Sequence, residues 1–169
     1  MLKRLILVGG TMGVGKTSVC RELQALLPYN VFLDGDWCWD MKPFVVNDET
    51  KAMVLSNIGY LLRQFLQCSA YENIIFCWVM HRQEIWDAIL AHVSDLPCKV
   101  HAVCLTCSEE ALRNRLQQDI TAGRRTGDVI SRSLVRLPLY DALDIPQIDV
   151  TGLTAVQAAH VLAKAILKT

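Results

Sequence analysis

Between Gly10 and Thr17 a lysine, two hydroxyls and three glycines are spaced so that they could hold a phosphate group. The run Gly10-Thr11-Met12-Gly13-Val14-Gly15-Lys16-Thr17 fits the phosphate-loop pattern at every fixed position, and Ser18 follows it. Each residue type has a task in that chemistry. Glycines let the backbone come close to phosphate and turn its N–H groups inward. Lys16, read as an exposed charge at a loop, adds a full positive charge for β- and γ-phosphates, and the Thr17 hydroxyl is the expected Mg²⁺ ligand. A second chemical stretch is Asp34-Gly35-Asp36. Asp34 and Asp36 are two apart, so in an extended chain they face the same side. A carboxylate there can accept the proton of an attacking hydroxyl.

These groups need elements to carry them. Leu5-Ile6-Leu7-Val8 reads as a buried strand leading into the loop. Val19, Leu23, Leu26 and Leu27 recur at helical spacing after it, over about 16–27, until Pro28 blocks continuation. The start of that helix puts its positive end at the loop. Strands are expected at 31–33, 74–80, 100–105 and 145–150. Helices are expected at about 48–68, 82–93, 109–122, 128–143 and after Thr154. Asn47 or Asp48 caps the second helix and Ser108 the fourth, with Ala111 where a capping box would need Glu. Pro138 kinks the 128–143 helix or ends its first part. Alternating strands and helices predict an α/β fold, a three-layer α/β/α arrangement with about five parallel strands.

With 169 residues and 52% hydrophobic content, the chain can bury a real core as one domain over 1–169, and disorder is excluded. Lys+Arg and Asp+Glu both number 17, which argues against broad nucleic-acid binding. No signal sequence and no membrane-length apolar stretch is read, so neither nucleic acid nor membrane is expected as a partner. Seven cysteines without a regular framework predict reduced thiols and a cytoplasmic setting. Cys98, His101, Cys104 and Cys107 are spaced three apart, as zinc ligands can be. The segment alternates like a strand, however, which sends Cys98 and Cys104 to one face and His101 and Cys107 to the other. Buried core cysteines are the better reading.

The phosphate loop, the Phe32-Leu33-Asp34-Gly35-Asp36 run, and an arginine-bearing helix followed by a basic stretch together resemble the small P-loop kinases. That group holds the shikimate, gluconate, adenylylsulfate and nucleoside-monophosphate kinases, and the resemblance covers nearly the whole chain. Other P-loop classes fit less well. No Asn-Lys-x-Asp guanine motif is present, and the third strand runs into Trp78-Val79-Met80 without the acid usual in motor and AAA-type ATPases. The magnesium-side carboxylates must therefore come from elsewhere, and Asp34 and Asp36 are the candidates. The resemblance assigns proton acceptance to Asp36 and a magnesium-water contact to Asp34. It implies an arginine near Arg115 stacking on adenine, and arginines of a lid over about 115–136 closing on the phosphates. Arg113, Arg115, Arg124 and Arg125 are all available, with Arg113 better read as a surface arginine. Asp119 and Gly123 depart from the simple arginine-rich lids of the gluconate and shikimate kinases.

In open parallel sheets, ligands lie beyond the carboxyl ends of the strands. That places Trp37, Trp39, Phe44, Trp78, Met80, His81 and Arg82 near an acceptor, with Arg132 and Arg136 on the following lid helix. Core packing is the better reading for Trp78. The expected activity is transfer of the γ-phosphate of ATP, with Mg²⁺, to a hydroxyl or phosphate of a small-molecule acceptor, by a monomer or dimer. The other reading is a nucleotide-binding switch or ATPase module that transfers nothing, in which Asp36 would have no task.

Overall fold

A computed structural model describes residues 2–168. Five parallel strands form one sheet: β1 (Lys3–Gly9), β2 (Asn30–Asp34), β3 (Asn73–Cys77), β4 (Cys98–Thr106) and β5 (Gln147–Asp149), in the order β2-β3-β1-β4-β5. The helices are α1 (Lys16–Leu26), α2 (Asp48–Gln67), α3 (Gln83–Ala91), α4 (Glu109–Thr121), α5 (Val129–Arg136) and α6 (Ala155–Leu167). Short 3-10 turns cover Gly35–Cys38 and Leu137–Ala142.

The sheet separates two cores, as strand alternation requires. Ile6 and Val8 of β1 join α1 and α6 on one face, through Val19, Leu23, Ala159 and Leu162. Leu5 and Leu7 join α2 and α3 on the other, through Ile58, Leu62, Trp86 and Ile89. The same alternation divides the cysteines of β4. Cys104 belongs to the α2–α3 core, with Cys98 against it, and Cys107 to the α1–α6 core. All seven cysteines are free thiols. No described helix is long and apolar enough to cross a membrane.

Local chemistry sets the element ends. Asn47 caps α2 in a reciprocal pair with Thr50, and Ser108 caps α4 through the Ala111 N–H without a capping box. Three of the departures from the expected boundaries have a local cause. β3 ends at Cys77, not Met80, because the Trp78 N–H makes a last bond to the Val8 carbonyl at 3.2 Å and the chain then turns. β5 is only three residues long, since Pro146 offers no N–H to the ladder. α5 stops at Arg136, and a 3-10 turn takes over as Pro138 enters its first turn.

The register prepares the site. Val8 pairs with Cys77, Cys77 with Asp34, and Gly9 with Cys104. The chain therefore leaves β1 and β2 at the same sheet edge, two ladders apart, or roughly 10 Å. β1 lies between β3 and β4, so the strand order reverses beside the loop that follows it. That crevice is where open α/β sheets bind ligands.

Candidate active site

The loop after β1 is built by backbone conformations that favour glycine. Gly13 has φ of 82° and Gly15 of 110°, in the left-handed region that side chains avoid. Gly13 also lies against α4: a Cβ there would stand 2.3 Å from Leu116 Cδ2. Gly15 is the N-cap of α1 and brings no side chain to it, and no acidic residue occupies the first turn. The first N–H groups of α1 are thus left for an anion.

Lys16 is half-buried, not exposed as its loop position suggested. Its ammonium donates to the Thr11 carbonyl at 2.9 Å. Burial pulls its pKa below the ordinary lysine value, the charges of Cys77, Asp36 and Asp34 oppose that pull, and Arg125 adds to it. Both aspartates therefore act on the phosphate-loop lysine electrostatically. Thr11 is fully buried, and its hydroxyl donates to the Ser133 carbonyl of α5 at 2.9 Å. Its side chain thus ties the loop to α5.

Asp34 joins the loop to the turn that follows β2. It is buried at the end of β2, and its Oδ2 accepts from the Thr17 hydroxyl at 2.7 Å. Its Oδ1 accepts from the Asp36 N–H at 3.1 Å and caps the Gly35–Cys38 turn. This corrects the extended-chain argument. The backbone leaves β2 geometry at Gly35, so Asp34 and Asp36 are related by a capped 3-10 turn, not by strand alternation. Asp36 is exposed and accepts from Trp78 Nε1 at 3.1 Å.

A cleft of about 320 Å³ opens beside the loop. Gly13 to Ser18 line it with Arg115 and Arg125, and so do Gln118, Asp119 and the start of α6 around Thr154 and Ala155. Gly10, Thr11, Met12 and Arg124 do not. Arg115 is pinned by donating to the Val14 carbonyl at 3.1 Å and the Val150 carbonyl at 2.6 Å, which joins the loop to the end of β5. Arg124 and Arg125 both donate to Asp119, at 2.7 Å and 3.1 Å. Burial works against ionisation of Asp119, but these two guanidiniums hold its carboxyl below the usual range. Of the pair, Arg125 reaches the cleft and Arg124 stays outside it.

Beyond the ends of β2 and β3 the aromatic residues divide. Trp39 packs edge-on against both Phe44 and Trp78. Trp37 turns the other way, onto Phe32 at 5.4 Å and under the Arg21 guanidinium at 5.3 Å, so its ring is engaged by β2 and α1. Trp37, expected with Trp39, Phe44 and Trp78, thus has its ring contacts on the β2–α1 side, and half of its surface stays exposed. Burial lowers the His81 pKa, with the positive charges of Arg136 and Arg82 adding to the effect. The structure brings these three together. Arg132 is exposed and paired with Asp128 at 3.0 Å.

Sequence reasoning missed three contributors. The Trp78 N–H on Asp36 joins residues 42 positions apart. Asp119, noted only as a departure from related lids, clasps both lid arginines; two arginines five and six residues beyond an acid were the available signal. The β5–α6 connection that lines the cleft carries no chemical motif.

A family model described as AAA domain matches residues 6–132. No curated protein matches the sequence. Among solved structures, the chain is similar to a tunicamycin resistance protein from Deinococcus radiodurans, at 18% identity and a TM-score of 0.72, over 97% of this chain and 95% of that one. It is similar to a gluconokinase from Sinorhizobium meliloti 1021, at 19% identity and a TM-score of 0.68, over 99% and 95%. It is also similar to a shikimate kinase from Acinetobacter baumannii in complex with shikimate, at 21% identity and a TM-score of 0.62, over 99% and 94%.

Proposed function

The chain belongs to the AAA domain family and has the fold of the small P-loop kinases, and from that premise we propose that it transfers the γ-phosphate of ATP to a small-molecule acceptor. The observation that carries this reading is the relay Thr17–Asp34–Asp36. Thr17 donates to one oxygen of Asp34, and the other holds the Asp36 backbone. Metal side and acceptor side are thus fixed to one carboxylate.

The donor set fits magnesium. Thr17 Oγ1 and Asp34 Oδ2 are hard oxygens 2.7 Å apart. No described group of three or more His, Cys, Asp or Glu residues could form a cage for an ion. Mg²⁺ is suited to one or two protein oxygens together with phosphates and water. Bound there, it would neutralise charge on the β- and γ-phosphate oxygens.

The chain's own residues do the rest. The α1 N-terminus and Lys16 hold the phosphates, and Arg125 approaches from the lid. Asp36 accepts the acceptor hydroxyl's proton as that oxygen bonds to phosphorus; the bridging P–O bond breaks and its electron pair leaves with ADP. The guanidiniums of Arg82 and Arg136 make no hydrogen bond or ion pair among the described residues, whereas those of Arg63, Arg113, Arg124, Arg125 and Arg132 all meet carboxylates. Unpaired guanidiniums beside His81 support an acceptor that carries an anionic group.

A screen of hydroxyl and phosphate acceptors coupled to ADP release tests the reading. With an acceptor in hand, Asp36→Asn should keep ATP affinity and lose transfer by roughly two orders of magnitude. Asp34→Asn should raise the magnesium concentration needed for half-maximal rate. Unchanged turnover in Asp36→Asn removes Asp36 from the chemistry, and a screen in which no hydroxyl or phosphate compound accelerates ADP release favours a switch that transfers nothing.

A further inference from the structure

Trp78 lies beyond the end of β3 and is 8% exposed, which by itself reads as core packing. Its indole does more than fill space. It covers Gly35 so closely that a Cβ there would stand 2.5 Å from Trp78 Cγ. From that position Nε1 donates to Asp36 Oδ1 at 3.1 Å. The ring is held edge-on by Trp39 at 5.6 Å, and the turn beneath it is anchored where Asn57 of α2 donates to the Cys38 carbonyl at 2.9 Å.

Asp36 is therefore gripped twice, its backbone by Asp34 and its side chain by Trp78. The second grip matters because an exposed aspartate samples a broad χ2 range, and neither oxygen has a fixed direction. An indole N–H only donates, so it occupies Oδ1 without competing for a proton. Oδ2 has no partner among the described residues. We propose that Trp78 is a positioning residue of the transfer reaction, fixing the Asp36 carboxylate so that Oδ2 is the oxygen that takes the acceptor's proton. This rests on the reading of Asp36 as the proton acceptor.

The test has one arm that needs no turnover. The chain has four tryptophans, so four indole N–H signals are expected in a ¹H–¹⁵N spectrum, and the one lost in Trp78→Phe belongs to Trp78. In Asp36→Ala that signal should move upfield while the other three hold their places. Asp36 is exposed, so this variant keeps the contact testable even if Trp78→Phe folds poorly. The second arm measures ATP turnover with water as the acceptor. Trp78→Phe should lower kcat roughly tenfold and leave the KM for Mg-ATP within about twofold. Adding Trp78→Phe to Asp36→Asn should cost nothing further, whereas a purely packing role would slow both backgrounds alike. An indole signal unmoved by Asp36→Ala, or additive losses in the double variant, overturns the proposal. A moved signal with full turnover in Asp36→Asn overturns it too, but places the failure in the proton-acceptor reading and not in the contact.

Discussion

Lys16 is where binding and stability pull apart. Burial favours its neutral form in the folded chain. A lysine lowered in this way contributes stability above its ordinary value of 10.5 and loses it as pH falls through the lowered value. Burying the charged ammonium therefore weakens the nucleotide-free fold, and bound phosphates reverse the effect. Lys16→Met should bind Mg-ATP roughly a hundredfold more weakly. Its melting temperature without nucleotide should match or exceed that of the parent. A clear fall in melting temperature would show that Lys16 serves the loop's structure more than its ligand.

At the scale of elements, the stretch proposed as a lid carries charges that already have partners. Arg124 and Arg125 share Asp119, and the stretch around Gly123, at φ of 71°, gives the backbone freedom to move. When phosphates enter, Arg125 can exchange one anion for another across the cleft it already lines. Arg125→Ala should therefore lower turnover by roughly a hundredfold, and Arg124→Ala by less than about threefold. Equal losses would undo the distinction. Amide exchange over 123–128 should slow in the presence of a non-hydrolysable ATP analogue, and identical exchange with and without it would count against a lid.

The whole molecule ties these parts into one unit. Thr11 connects the phosphate loop to α5, Arg115 connects it to the end of β5, and the Thr17–Asp34 contact connects it to β2. The two cores divide Leu5, Ile6, Leu7 and Val8 of β1 between them. Urea unfolding should accordingly show one transition, the same by fluorescence and by circular dichroism, in keeping with a single domain. Mg-ATP at a hundred times its Kd should add about 2.7 kcal/mol to that transition. Two separate midpoints, or stabilisation confined to one probe, would mean that the two faces of the sheet unfold independently.

Much of this could be read from the residues in order, because the relevant physics is local. Gly13, Gly15 and Lys16 declare a phosphate loop, since positive φ and close backbone approach are properties of a few adjacent residues. The α/β class follows from the same kind of pattern, as apolar runs alternate with helical stripes. The acids at 34 and 36 were legible as types, but their relation was not: the Gly35–Cys38 turn replaces the strand geometry that adjacency alone suggested. What remained hidden depends on contacts between distant segments. Nothing near Trp78 announces Asp36, nothing near Thr11 announces Ser133, and nothing near Trp37 announces Arg21. Residue types and spacing determined which chemistry the chain can perform. The crossing of strands at one sheet edge decided which of several candidate side chains stand together, because only packing in three dimensions brings those groups within hydrogen-bonding reach.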